Sequence, residues 1–307
     1  MAALPKPLSQ KSIQKMLEGW NPETVDKLHA YYVAFSNLYG VIMLSDAWKI
    51  IKQYEPKMRK KEFLDFSSIA RREDLTYYVI EIDELYCDEP RVSDAQRFII
   101  NKALVSDGYY RFNSVYKLIE MQLDKPFYCP EKLTDFTENA DSSQWNALCD
   151  YIRNIKTSCG VRLSELVFLN EWDKFDLEYY KSQRKKDEIL KRASTPLSER
   201  IIRVLWLDMN TADDPMAYLS HALEEADAKL TMAEYEKLLR LWQDANNHSH
   251  LWSNRGWTPI ALHQRYGNPT LRSMSFGPGL QKAFADGDID KKELIEKLKA
   301  MGISVEE

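Results

Sequence analysis

Apolar residues recur at three- and four-residue intervals along most of this chain, so its hydrophobic pattern predicts helices far more often than strands. Val25, Leu28, Tyr32, Phe35 and Leu38 form one such stripe. It follows Asn21-Pro22, an N-cap and a first-turn proline, and it ends at Gly40. A shorter helix precedes it, from Ser9 to Gly19. Ser45 caps a helix that turns Trp48, Ile51 and Tyr54 inward, and Phe63, Phe66 and Ile69-Ala70 mark a helix over residues 60–72. Two stretches depart from the pattern. Val41-Ile42-Met43 is β-branched and too short for more than an edge strand. Leu75 to Ile82 is β-rich, with Asp83-Glu84 predicting a turn into Leu85-Tyr86-Cys87. Two helices are expected between Asp94 and Leu123, flanking Gly108-Tyr109-Tyr110. Further on, Trp145, Leu148, Ile152 and Ile155 share a face, a charged helix covers residues 179–192, an apolar-faced one covers 197–207, and Asp214-Pro215 opens another that ends near Asp227.

The order helix, short strand, helix, helix, hairpin is that of a winged-helix domain, whose third helix is presented to a nucleic-acid groove. The expected fold class is therefore mainly α, with a winged-helix-like N-terminal part (a small α+β unit) followed by an α-helical bundle. Residues 1–8 form a tail and 9–137 the N-terminal domain with its following helices. The polar stretch 138–143 is the expected boundary, and 144–307 the C-terminal helical domain.

The stretch from Leu230 to Gly267 is the best specified. Thr231 and Glu234 have capping-box spacing, and Tyr235, Leu238, Leu239, Trp242 and Ala245 follow on one face. That helix is expected to stop near Asn246-Asn247. A polar loop with two tryptophans follows, and Thr258-Pro259 restarts a helix that Gly267 ends. Asn246-Asn247, Leu251-Trp252 and Arg255-Gly256-Trp257-Thr258-Pro259 resemble a segment of bacterial proteins that often carry a C-terminal SEC-C zinc motif. Leu38-Tyr39-Gly40-Val41-Ile42, with Leu44 and Ser45, is similar to a second segment of that family. The zinc motif itself is missing, because no cysteine follows Cys159.

Composition narrows the function classes. The 307 residues are 44% hydrophobic and 29% charged, enough for a sizeable core, and the net charge of −5 provides no global field for nucleic acid. Cysteines at 87, 129, 149 and 159 have no CxxC spacing, residues 1–14 contain no apolar leader segment, and no apolar run reaches the eighteen or so residues of a membrane span. A cytoplasmic protein with reduced thiols, no membrane association and no cofactor is the expectation.

Phosphate-loop, GxGxxG, GxSxG and kinase signatures do not occur, so no catalytic residue is assigned. The expected function is a non-enzymatic binding or regulatory role through protein–protein contacts. The alternative is nucleic-acid binding through the basic helix at 60–72. There Lys57, Arg59, Lys60, Lys61, Arg71 and Arg72 face only Glu62 and Asp65, six cations against two anions. In a second basic run, Lys181 to Arg192, i,i+4 pairs such as Asp187–Lys191 account for the charge. His248, His250, Trp252, Arg255 and Trp257 are the candidate binding groove; the alternative for the two tryptophans is a plug at a helix junction. His221, His248, His250 and His263 lie in the last third but have no metal-ligand motif, so no metal is assigned. Residues 285–293 imitate half of an EF-hand, yet Lys282 and Phe284 stand at its first ligand positions. A capping box of Asp290 with Glu293 explains the same residues.

Overall fold

The computed structural model describes residues 4–86, 89–105, 113–138, 142–169, 171–211, 215–266, 273–275, 292 and 304–306. They fall into two compact units, Met1–Pro259 and Ile260–Glu307. The first contains α1 (Gln10–Met16), α2 (Pro22–Tyr39), β1 (Val41–Met43), α3 (Leu44–Tyr54), α4 (Lys60–Ala70), β2 (Tyr77–Ile80), α5 (Ile82–Leu85), β3 (Phe98–Asn101), α6 (Asn113–Gln122) and α7 (Ser143–Asn154). It continues through α8 (Glu171–Tyr179), α9 (Gln183–Ala193), α10 (Leu197–Thr211), α11 (Pro215–Glu225) and α12 (Met232–His248). Pro259 begins α13 (Pro259–Tyr266). In the second unit β4 (Ser273–Ser275) pairs in parallel with β5 (Ser304–Glu306). The EF-hand-like stretch and its capping box lie outside the described residues, as do Gly108 to Tyr110, Cys87 and Gly267.

The protein is mainly helical, with a small antiparallel sheet of order β1-β3-β2 in the first unit. Local chemistry sets the helix starts. The Asn21 side chain accepts from the Glu23 and Thr24 amides at 2.8 and 3.4 Å, and Thr231 and Glu234 cap each other as their spacing predicts. Helix α3 departs from the expectation at Ser45. It begins at Leu44 without a side-chain cap, because the Leu44 amide donates instead to the Arg97 carbonyl at 2.8 Å.

Helix α2 is the axis of the N-terminal core. Leu28, Tyr32, Phe35, Leu38 and Tyr39 are buried, and they meet Ile50 and Ile51 of α3 and Phe63 and Phe66 of α4. Tyr32 donates its hydroxyl to the Phe63 carbonyl at 2.8 Å, so the polar tip of this buried ring is satisfied. A second core gathers α7, α10, α11 and α12 around Trp145, Leu148, Ile201, Leu205, Leu219 and Leu238.

The sheet corrects the expected hairpin. Asp83 and Glu84 do not turn the chain into a partner strand. They lie in the short helix α5, where Glu84 caps the Glu81 amide at 2.8 Å. The partner of β2 is β3, with Tyr78 opposite Ile100 and Ile80 opposite Phe98; β3 also pairs with β1, Val41 opposite Ile100. Where a helix was expected after Asp94, the chain is a strand. Phe98, Ile99 and Ile100 are all buried, and a continuous apolar run carries no alternation to identify it. The charged helix expected over 179–192 is α9, which begins four residues later, and α8 precedes it.

A buried ionic cluster fixes the β2–β3 connection. Glu81, 2% exposed, receives Arg97 Nε at 2.9 Å, while Arg97 also donates to the Ser67 and Ser68 hydroxyls at 2.6 and 2.8 Å. Arg71 holds Glu84 with both terminal nitrogens and the Val79 carbonyl with one. Each buried charge is thus paired and hydrogen-bonded, the condition under which such a group is tolerated in a core.

Candidate functional sites

The six cations singled out around α4 do not form one surface. Lys57, Arg59, Lys60 and Lys61 are exposed at the α3–α4 turn and the first turn of α4. Arg71 is directed inward instead, its side chain only 11% exposed in the cluster with Glu84. The reason is positional: Arg71 follows the last turn of α4, where the chain must meet β2 and the acidic start of α5. Arg72 lies beside it, half-buried and past the end of α4, whose Lys60–Ala70 span separates it from the basic first turn by roughly 15 Å at 1.5 Å per residue. Its carbonyl accepts the Leu8 amide at 2.8 Å. What remains is a cationic edge at the N-terminus of α4.

That N-terminus is unusual in its chemistry. Arg59 occupies the N-cap and no side chain caps the first turn. Basic side chains there oppose the helix dipole, which favours anions at this end. Lys61 has a loose partner in Asp65 at 3.7 Å, whereas Lys57, Arg59 and Lys60 have no ion pair among the described residues. Lys52 of α3 belongs to the same edge. Its ammonium donates to the Met58 and Pro56 carbonyls and lies 5.5 Å from the centre of the Trp48 ring. The sequence carries no signal for Lys52, because only the α3–α4 turn brings it there.

Four of the five residues expected to line a groove, His250, Trp252, Arg255 and Trp257, instead form a plug, while His248 stands apart from it. Trp252 is fully buried and Trp257 is 6% exposed. The Trp252 indole N–H donates to the Asn37 carbonyl at 2.7 Å, its amide to Asn210 Oδ1 at 3.0 Å, and its carbonyl accepts Gln122 Nε2 at 2.8 Å. Its ring meets Trp206 edge-on at 4.7 Å. Trp257 donates to the Pro126 carbonyl at 3.2 Å and packs on Tyr128. Arg255 has a left-handed backbone (φ 49°), donates to the Lys125 carbonyl at 2.6 Å and covers the Phe127 ring at 4.3 Å. Trp252, Ser253 and Trp257 are thus closed in by the protein's own groups, while His250, Asn254 and Arg255 are half-buried.

His248 and His250 diverge. His248 is exposed and its Nδ1 lies 2.8 Å from the Asp244 carbonyl, while α12 runs on to this residue, past the stop expected at Asn246-Asn247. His250 is stacked on Tyr128 at 4.9 Å, with its Nδ1 2.6 Å from the Gly256 carbonyl. His221 faces Glu225 on its own helix at 3.9 Å. Among the described residues no three His, Cys, Asp or Glu side chains converge as a metal-binding group.

Gly40 explains why the plug fits. Its φ is +68°, and a Cβ built there would stand 2.5 Å from the Trp252 ring. Gly256 has the same relation to Leu38, at 2.9 Å. The backbone of the α2 terminus and the plug therefore approach to distances that only glycine permits.

A cleft of about 670 Å³ opens on another face, between α2, the ends of β2 and β3, and α10. Trp206, Trp145 and Arg203 are among the side chains that line it. None of these was singled out from sequence, since helical spacing assigned the tryptophans to core packing.

Two outcomes follow. Gly40→Ala combines a strained φ with a clash against an immobile ring, so it should cost roughly 2–4 kcal/mol in urea unfolding. A loss below about 0.5 kcal/mol would show that the plug yields easily. Burial holds the His250 pKa below its ordinary 6.5, against the opposing effect of the Gly256 carbonyl. Below pH 6.5 the unfolded chain therefore takes up a proton that the native ring resists, and stability falls with acid while remaining level above. His250→Phe should flatten that slope in a pH series of unfolding midpoints; an unchanged slope would assign it to other groups.

Comparison of the chain with family models, curated proteins and solved structures finds no match.

Proposed function

We propose that this protein binds nucleic acid through the cationic edge at the α3–α4 turn. The observation that carries the reading is the N-terminus of α4, which has no side-chain cap and where Lys57, Arg59 and Lys60 have no ion-pair partner among the described residues, with Glu62 the acid of the first turn. Folding gains nothing from clustering these charges at the positive end of a dipole, whereas a phosphate placed there would satisfy free amides and ammonium groups together. The topology supports the same reading. Helices α2, α3 and α4 precede β2 and β3, β1 lies between α2 and α3, and the sheet order is β1-β3-β2. This order supports a winged-helix reading, in which α4 would be the third helix. The paired Arg71 and the acidic total charge confine any such contact to a small number of phosphates.

Anisotropy titrations of duplex DNA and of RNA at two salt concentrations test this. With about four phosphates neutralised, the logarithm of affinity should fall with that of salt at a slope near −3.6. Lys57→Glu, Arg59→Glu and Lys60→Glu together should reduce affinity at least about tenfold with helicity retained. Salt-independent binding, or binding that the triple variant preserves, would rule the edge out.

A second reading, a protein–protein role, is supported by exposed rings on α8. Phe175 and Tyr179 are 59% and 62% exposed and stack on each other at 6.0 Å, and Leu190 of α9 is also exposed. Aromatic residues standing in solvent are enriched where partners dock. Phe175→Ser with Tyr179→Ser should leave the unfolding midpoint within about 0.5 kcal/mol of the original, since both side chains are exposed. It should also release whatever protein co-purifies with the native chain. Loss of stability on substitution would instead mark these rings as structural.

A further inference from the structure

We infer that the cleft between α2 and α10 is a ligand site for a small, flat organic anion. This does not depend on nucleic-acid binding, because the cleft and the α4 edge share no residue.

Helix α10 has two working faces. Leu197, Ile201, Leu205 and Met209 recur every four residues and are buried in the second core. Ile202, Arg203, Trp206 and Leu207 lie on the other side and line the cleft. Ile202, Trp206 and Leu207 are half-buried, so this is an apolar stripe that the fold covers only in part. Ile202 and Trp206 also touch the second core, and Trp206 and Leu207 the core around the sheet, so this stripe is held on its inner side while its outer side faces the cleft.

The volume, about 670 Å³, is in the range of small-molecule sites, which are mostly apolar with a few polar groups to orient the ligand. Here the walls include two indoles. Trp206 is fixed from behind by its edge-on contact with Trp252. Trp145 is 4% exposed, and its indole N–H, unlike those of Trp252 and Trp257, donates to no described residue. Flat rings held rigidly favour a flat partner, and the Trp145 N–H offers it a donor.

The charge of the cleft selects the sign. Glu199, one turn before Arg203 on α10, is already held by Arg153 at 2.7 Å, with a second contact at 3.3 Å. Its charge is thus spent. Arg203 is exposed, lines the cleft and has no carboxylate partner among the described residues. A guanidinium with its donors free beside two indoles fits a carboxylate or phosphate carried on an aromatic ring.

Calorimetric titration with naphthoate and with its neutral counterpart, naphthamide, tests the inference on the full chain. Naphthoate should bind about tenfold more tightly than naphthamide and should shift the indole N–H resonances of two tryptophans. Arg203→Gln should bring the two affinities to near equality. Thr76→Trp, a substitution at an exposed position on the cleft rim, should abolish both. Absence of saturable binding up to about 1 mM naphthoate would overturn the inference. So would preference for the anion persisting in Arg203→Gln, or unaltered binding in Thr76→Trp.

Discussion

The contact between the Trp252 ring and the bare backbone of Gly40 is the constraint on which the first unit depends. It joins positions more than two hundred residues apart, and each end is held by further bonds. Asn37, one turn before Gly40, accepts the indole N–H; Asn210 takes the Trp252 amide from α10; Gln122 reaches both the Tyr39 and the Trp252 carbonyls from the end of α6. Three separate stretches of chain, the end of α2, the end of α6 and α10, are therefore registered against one residue. A glycine at 40 and a tryptophan at 252 are complementary in volume, so neither can change alone without a void or a clash.

Charge is divided according to where the chain must close. Arg71 and Arg97 go inside because the β2–β3 connection brings Glu81 and Glu84 to the end of α4, and an unpaired carboxylate there would be costly. The lysines at the other end of the same helix remain in solvent, with Lys61 only loosely paired to Asp65. One stretch of sequence thus supplies a structural lock at its C-terminal end and a cationic edge at its N-terminal end. Counting charges along residues 57–72 merges the two.

Helix α10 shows the same division in apolar residues. One face closes the core shared with α7, α11 and α12. The other faces the cleft beside α2, and its Trp206 backs onto the plug. The joint at Trp252 and the shape of the cleft are therefore mechanically linked, because the ring that lines one is packed against the ring that forms the other.

What the sequence determined by itself was local. The starts of α1, α2 and α12 and the ends of α2 and α12 lie close to where their caps, prolines and glycines put them, and α4 and α7 lie where periodicity put them, because capping bonds and helical spacing join residues three or four positions apart. It also showed that Trp252 and Trp257 were out of place in a polar loop, without saying whether they filled a gap or lined one. Tertiary structure decided the rest. The partner of β2 is β3, which begins fourteen residues beyond the turn that looked like a hairpin, since strand pairing is chosen by distant apolar faces and Phe98 to Ile100 show no alternation. The inward fate of Arg71, the recruitment of Lys52 and the cleft residues Trp145 and Arg203 depend on elements meeting in space. No spacing along the chain encodes such meetings, because the energy that fixes them comes from packing between segments rather than within them.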